Sequence, residues 1–170
     1  MATLYTHKDS NIAKTWGLMI GFLILVIALG WIFGYVLREP AILYIAIIVA
    51  LVMNVTSYWF SDKIVTRISG AKPADQSVYQ ELHRIVENLA ITAGLPKPRV
   101  YVINDQAPNA FATGRNPGHA VVAVTTGRLG ILDRSELEGV IAHELSHVGN
   151  RDILVSTVAV VLVGFTAILS

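Results

Sequence analysis

The sequence predicts an α+β soluble domain attached to transmembrane helices, and the distribution of apolar residues is the basis of this prediction. Of the 170 residues, 54% are hydrophobic and 15% are charged, and the mean hydropathy is +0.57, which is typical of integral membrane proteins. Two long apolar blocks fill the first third, a segment of mixed composition follows, and a third apolar block closes the chain. We therefore expect an N-terminal tail with a two-helix transmembrane hairpin over residues 1–60, a soluble domain over 61–152 and the start of a third transmembrane helix over 153–170.

The charge and the cysteine content exclude several classes of function. The net charge is +1 and no dense basic run occurs, so that the electrostatic field does not favour nucleic acid as a partner. The chain contains no cysteine, which excludes disulfide bonds, thiolate ligands and a cysteine nucleophile. A metal site in these residues must therefore use histidines and carboxylates.

The first two apolar blocks predict a helical hairpin in a lipid bilayer. Residues 16–37 contain no ionisable side chain except Tyr35, and they are long enough to cross a hydrocarbon core of ~30 Å as a helix. A cleaved signal peptide is the alternative, but its apolar core would be shorter. The second block, residues 41–60, follows after only three residues and ends in the aromatic triplet 58–60, which is typical of the membrane–water interface.

Lysine and arginine residues are distributed unevenly around this hairpin. Arg38 lies in its turn, whereas five lie near its outer ends, namely Lys8, Lys14, Lys63, Arg67 and Lys72. Because such residues accumulate on the cytoplasmic side of a membrane, we expect the N-terminus and the soluble domain to face the cytoplasm.

The segment between the apolar blocks shows the periodicities of both helices and strands. Apolar residues recur at helical spacing from Val78 to Leu89, and Gly94 supplies a stop signal. Short runs rich in β-branched residues predict strands. These runs are residues 99–103 and 119–125, with a weaker one over 110–113.

The motif HExxH, from His143 through Glu144 to His147, lies inside a predicted helix. Ser135 and Glu138 have the spacing of a capping box, so we expect the helix to begin near Ser135. At about 100° per residue the two histidines lie one turn apart on one face, and both imidazoles can reach one ion. The opposite stripe is apolar and can be buried; it consists of Leu137, Ile141, Leu145 and Val148.

This spacing suits hydrolysis assisted by zinc. Neutral imidazoles bind zinc, and a site with three protein ligands keeps a fourth position for water, whose acidity the metal raises. Glu144 lies beside that position, where a carboxylate can accept a proton from the water and deliver it to the leaving amine. The alternative is an exposed helix with solvated His and Glu side chains, and the helical context favours the metal site.

Further motifs occur around HExxH. The stretches NAFATG, HAVVAVTTGRLGIL and HELSHVGNRDI, preceded by two spans, resemble the HtpX family of membrane-bound zinc endopeptidases in sequence and order over essentially the whole chain. The resemblance implies a zincin-like metalloprotease domain made of the amphipathic helix, the short strands and the HExxH helix. It also implies a multi-pass protein of the inner (cytoplasmic) membrane, with a cytoplasmic catalytic domain that takes part in stress response and quality control of membrane or misfolded proteins.

The resemblance assigns roles by position. His143 and His147 match the zinc ligands, Glu144 matches the catalytic acid and base, and Asp152 matches an acidic position that supports the zinc helix from outside the ligand set. Residues 109–114 resemble an edge strand along which an extended peptide or protein substrate lies. The expected substrate-binding residues are Asn109, Ala110, Phe111 and Ala112. Backbone pairing at such an edge accepts many sequences, which suits broad specificity.

The third zinc ligand of that family is a glutamate that follows further membrane helices, whereas this sequence ends at Ser170 within an apolar run. On the resemblance, the chain is an N-terminal fragment that binds zinc weakly and is essentially inactive. Asp152 is the alternative third ligand, but a supporting role is favoured because it directly precedes an apolar segment. Two other functions stay open, a noncatalytic membrane scaffold that binds clients at the edge strand and an inactive truncated fragment.

Overall fold

The computed structural model describes the backbone of residues 4–159 and the side chains of residues 8–159. Its elements agree with the predicted mixture of helices and strands. In chain order they are α1 (Leu4–Leu37), α2 (Ala41–Trp59), α3 (Ser61–Ile68), β1 (Lys72–Pro73), α4 (Gln80–Thr92), β2 (Arg99–Ile103), β3 (Ala110–Thr113), a 3-10 turn (Pro117–His119), β4 (Val121–Thr125), α5 (Thr126–Ile131) and α6 (Arg134–Asn150). A last helix, α7, is described over residues 152–159.

Helices α1 and α2 form the predicted hairpin and are, by length and composition, capable of crossing a membrane. Their connection turns at Arg38, which has a φ of 56°, and the Glu39 N–H donates to the Gly34 carbonyl at 3.0 Å. Helix α1 begins at Leu4 rather than at Trp16, because the polar residues before the apolar block continue the same helix. This extension carries α1 beyond the apolar span, toward the soluble domain.

The two hairpin helices approach each other closely at a glycine. A Cβ atom added to Gly30 would lie 2.4 Å from the Cβ of Ala46, which is far inside van der Waals contact. Small residues at such a point allow two membrane helices to pack backbone against backbone. Gly30 therefore sets the distance between α1 and α2.

The soluble domain is built on a four-stranded sheet with the order β1-β2-β4-β3. The central strands β2 and β4 are parallel, with Arg99 opposite Val121, while β1 and β3 pair antiparallel to them on the two sides. Strand β4 is buried over its whole length. Strand β3, which the sequence predicts only weakly, is present over Ala110–Thr113 and forms one edge of the sheet.

Helices α4 and α6 share one apolar core with the sheet. The stripe predicted for the HExxH helix is buried, and each of its members is at most 7% exposed; they are Leu137, Ile141, Leu145 and Val148. The core partners from the other elements are Leu82, Ile85 and Val86 of α4, Val100 and Val102 of β2, and Val122 and Val124 of β4. The prediction of a buried stripe is confirmed.

Two element boundaries differ from the sequence-based expectation. Val78 was expected in α4 but precedes it and is 70% exposed, because the Asp75 carboxylate accepts hydrogen bonds from the Ser77 N–H and hydroxyl and so holds a turn there. The strand expected from residue 119 begins at Val121. Before it, the Asn116 side chain accepts the N–H of His119 at 3.1 Å and so stabilises a 3-10 turn over Pro117–His119 in place of a strand.

Contacts at the end of α2 join the sheet to the hairpin. Asp62 of α3 forms an ion pair with Arg99 of β2, and its side chain is only 11% exposed. The guanidinium of Arg115 lies 4.4 Å from the centre of the Trp59 ring, a cation–π geometry. Arg99 begins β2 and Arg115 follows β3, so these two contacts hold one end of the sheet against α3 and the end of α2.

Helix α7 continues from the HExxH helix into the hairpin. Leu154 and Val158 are buried and pack against Met19, Phe22 and Tyr58. The third transmembrane helix expected over residues 153–170 lies outside the described residues from position 160 onward, so this expectation stays a prediction.

We expect Gly30→Ala to destabilise the hairpin and Gly21→Ala, in the same helix, to leave it unchanged or slightly more stable. The added methyl at position 30 meets Ala46, whereas a Cβ at Gly21 has no atom within 4 Å, and overpacking costs about 1–3 kcal/mol. The measurement is the thermal unfolding midpoint in detergent micelles. Equal midpoints for the two variants would contradict the close approach.

Candidate metal centre

The helix that carries HExxH begins earlier than the sequence analysis placed it. The Asp133 side chain accepts the N–H of Glu136 at 2.8 Å, and the Glu136 carboxylate accepts the N–H of Asp133 at 3.0 Å, which completes a capping box. The box expected at Ser135 and Glu138 is therefore wrong. Glu138 instead pairs with Arg134 on the surface at 3.0 Å. Asp133 and Ser135 are both followed by a glutamate three residues later, and the structure has Asp133 at the start of the helix.

The two histidines of the motif converge on one point. Their Nε2 atoms are 3.1 Å apart, and the rings are nearly perpendicular at 85°. Two nitrogens that bind one tetrahedral zinc ion at about 2.0–2.1 Å lie about 3.3 Å from each other. His143 is exposed and His147 is half-buried, so the point that they face is open to solvent. The pair fits a zinc ion.

Asp152 contacts the His147 ring at Nδ1, the nitrogen that does not face His143. Its Oδ2 atom accepts a hydrogen bond from Nδ1 of His147 at 2.8 Å, which leaves the lone pair of His147 on Nε2, the nitrogen that faces His143. The chain reaches this position through Arg151, which ends α6 in the left-handed conformation with φ 57° and ψ 21°. Asp152 therefore orients His147 and does not point at the place where the two Nε2 atoms meet.

Glu144 links the metal-binding helix to the edge strand. Its Oε2 atom accepts the backbone N–H of Ala112 at 3.1 Å. Phe111 is opposite Ala123 in the antiparallel pair, and the Thr125 N–H donates to the Asn109 carbonyl, so the N–H groups of alternate residues point away from β4. Ala112 is one of these, and it directs its N–H toward the site.

The structure places Ala112, one of the four expected substrate-binding residues, in contact with this carboxylate. Ala110, Phe111 and Ala112 are half-buried members of β3, and β3 runs beside α6. Asn109 lies just before the strand, where the Thr125 hydroxyl accepts its N–H at 2.9 Å. These four residues thus form one continuous stretch that leads along the outer strand of the sheet to Glu144.

One contact beside the site could not be predicted from the sequence. The buried hydroxyls of Thr113 and Thr157 are 3.2 Å apart and tie the end of β3 to α7, a pairing over 44 positions for which no local signal exists. Among the side chains of residues 8–159, no third His, Cys, Asp or Glu joins the histidine pair into a three-ligand cluster.

Comparisons with known proteins relate this geometry to a peptidase family. Residues 76–170 match the model of Peptidase family M48. A "Protease HtpX homolog" of Pyrococcus furiosus is 52% identical over 154 residues, which is 90% of this chain and 52% of the relative. Proteins of the same name from Caldanaerobacter subterraneus and Syntrophobacter fumaroxidans are 44% and 54% identical, over 98% and 82% of this chain and 56% and 49% of theirs. The chain thus spans about half the length of the curated relatives it matches.

The start of α6 supplies a test of how the metal-binding helix is held. Asp133→Ala is expected to lower the free energy of unfolding by about 0.5–2 kcal/mol, because it removes the N-cap acceptor, whereas Ser135→Ala is expected to have almost no effect. Both side chains are exposed, so burial does not confound the comparison. Denaturant titration of the two variants measures the difference, and a larger loss for Ser135→Ala would place the helix start at the position expected from sequence.

Proposed function

Because the chain belongs to peptidase family M48, we propose that it is part of a membrane-bound zinc endopeptidase that hydrolyses peptide bonds of membrane or misfolded proteins. The observation that carries this proposal is the arrangement around Glu144, which follows one of two histidines with converging Nε2 atoms on α6 and accepts the outward N–H of an edge strand. The rest of the soluble domain, with its mixed sheet and the HExxH helix packed on it, is then a zincin-like catalytic domain.

His143 and His147 are the proposed zinc ligands. The separation of their Nε2 atoms supports this role, and Asp152 supports it by holding His147 in the tautomer that binds metal through Nε2. Zinc supplies Lewis acidity, which lowers the pKa of water and polarises a peptide carbonyl. A carboxylate from outside the described residues is the expected third ligand. The low zinc affinity and inactivity expected of residues 1–170 alone stay a prediction.

Glu144 is the proposed general base and general acid. Its carboxylate is half-buried and lies on the same helix, one residue after a proposed ligand. In this position it accepts the proton of the attacking water and then donates it to the nitrogen of the leaving amine. The Ala112 N–H fixes one oxygen of the carboxylate, so the other oxygen is available for the proton.

The free edge of β3 is the proposed substrate site. An extended peptide can add to such an edge through main-chain hydrogen bonds. Ala110 presents its N–H and carbonyl outward there, and Ala112 presents its carbonyl, since its N–H is donated to Glu144. A peptide in this position runs past Glu144, which brings one of its carbonyls next to the histidine pair. Main-chain hydrogen bonds do not depend on the side chains of the substrate, which agrees with the broad specificity expected of a quality-control protease.

The hairpin is proposed to span the inner membrane with both ends in the cytoplasm. The charge asymmetry supports this orientation, and Trp59 at the end of α2 lies beneath Arg115 of the soluble domain, which fits an interfacial position for both. The catalytic domain would then face the cytoplasm directly at the membrane surface. A noncatalytic client-binding scaffold is the alternative function, but membership of a peptidase family does not favour it.

Glu144→Gln in the full-length protein is expected to lower the rate of casein cleavage by about 10²–10⁴-fold, since glutamine cannot accept the proton of the water. Zinc content is expected to stay unchanged because both histidines remain. Glu138→Gln, the same substitution on the same helix, serves as the control, since it removes only a surface ion pair. Undiminished cleavage by Glu144→Gln would refute the proposed mechanism and leave the scaffold as the remaining function.

The proposed orientation is testable by cysteine labelling, because the chain has no cysteine of its own. Both Glu39 and Lys72 are exposed. A membrane-impermeant maleimide added to intact cells is expected to label Glu39→Cys, in the hairpin turn, and not Lys72→Cys, which becomes reactive only after lysis. The opposite labelling pattern would show that the hairpin turn faces the cytoplasm and would contradict the proposed orientation.

A further inference from the structure

The N-terminal extension of α1 contacts the end of the metal-binding helix. The side-chain amide of Asn11 donates from Nδ2 to the backbone carbonyl of Asn150 at 3.1 Å, across 139 positions of sequence. Asn11 lies before the apolar block of α1, and Asn150 is the last residue of α6. This contact is direct, partly buried, and separate from the interfaces that hold α6 against the sheet.

The acceptor of this hydrogen bond is a group that the helix itself leaves without a partner. The last four carbonyls of an α-helix have no intrahelical N–H to accept. The carbonyl of Asn150 is one of them, and it belongs to the peptide unit that leads into Arg151. A side chain from another element therefore fixes the orientation of that peptide plane.

That peptide plane determines where Asp152 lies. Arg151 adopts the left-handed conformation, which is unfavourable for a residue with a Cβ atom and persists where the surroundings hold it. Through this turn the Asp152 carboxylate reaches Nδ1 of His147 at 2.8 Å. A change in the peptide between Asn150 and Arg151 would rotate the turn and move Asp152 away from His147.

Asn11 is itself held in position. Lys14 donates from Nζ to Oδ1 of Asn11 at 3.4 Å, which requires the amide oxygen on that side and directs the NH₂ group toward α6. The hydroxyl of Thr15, which is 1% exposed, donates to the Asn11 carbonyl at 3.0 Å. Further along the same helix, Met19 and Phe22 pack on α7, so that α1 contacts both the end of α6 and α7.

We propose that Asn11 is a positioning residue of the metal centre, which acts through the Asn150 carbonyl and the turn at Arg151 to hold Asp152 against His147. This role rests on the proposed zinc site and adds to it a part of the molecule that lies next to the membrane span. The N-terminal segment of the chain is then a functional component of the site and more than a leader to the first membrane helix.

The test measures zinc affinity and does not depend on cleavage. Full-length protein carrying Glu144→Gln is titrated with zinc in detergent against a chromogenic chelator. Asn11→Ala and Asn11→Asp, neither of which keeps the N–H donor, are expected to weaken binding about three- to tenfold, which is the range for loss of one hydrogen bond that supports a ligand through another residue. Asn88→Asp, an exposed site on α4, is the matched control and is expected to bind like the parent.

A double-mutant cycle separates positioning from a general loss of stability. Asp152→Asn alone is expected to weaken zinc binding about 10- to 100-fold, and adding Asn11→Ala to it is expected to cause no further loss, because Asn11 acts through Asp152. The same fold loss in both backgrounds, or zinc affinity equal to the parent in both Asn11 variants, would overturn the positioning role while leaving the metal centre intact. Zinc binding that survives His143→Ala would overturn the metal centre itself, and the positioning role with it.

Discussion

The packing of the HExxH helix against the sheet is the constraint on which the rest of the site depends. Four side chains on one stripe of α6 enter the core; burying each contributes about 1.5–3 kcal/mol, an upper estimate of about 6–12 kcal/mol together. That sum is comparable to the total stability of a typical domain. Because the stripe is fixed inward, the opposite face of α6, with His143, Glu144 and His147, is fixed outward toward the edge of β3.

Weaker interactions orient the side chains that burial of the apolar stripe has brought into place. The hydrogen bond from the Ala112 N–H to Glu144 contributes about 1.5–3 kcal/mol at most, since its acceptor is charged, and this is too little to place a helix but enough to select one orientation of a carboxylate. The contact between His147 and Asp152 acts in the same way on an imidazole ring. The packed core therefore determines where the helices and strands lie, and single polar contacts at the surface of that core determine how the Glu144 and His147 side chains are oriented.

The sheet and the HExxH helix are also tied to the N-terminal helices by polar and cation–π contacts. Asp62 pairs with Arg99, Arg115 covers Trp59, and Asn11 reaches Asn150. Each of these contacts joins a residue of α1, α2 or α3 to the sheet or to the metal-binding helix. Through these contacts the sheet and the HExxH helix are tied to the two-helix hairpin and to α3.

The sequence by itself determined the features that depend on local periodicity and on spacing. Apolar runs identified the hairpin, the 3.6-residue repeat identified the buried stripe of α6, and the four-residue spacing of His143 and His147 put both rings on one face. Local signals were ambiguous where two patterns overlap, as at Asp133 and Ser135, and short elements such as α3, β1 and α5 carried too few residues to show a period. Only the tertiary structure decided that Ala112 donates to Glu144, that Asp152 approaches His147 from the Nδ1 side and that Asn11 meets the end of α6. These contacts depend on the left-handed turn at Arg151 or on packing between segments that are distant in sequence, and the residues next to each contact do not encode them.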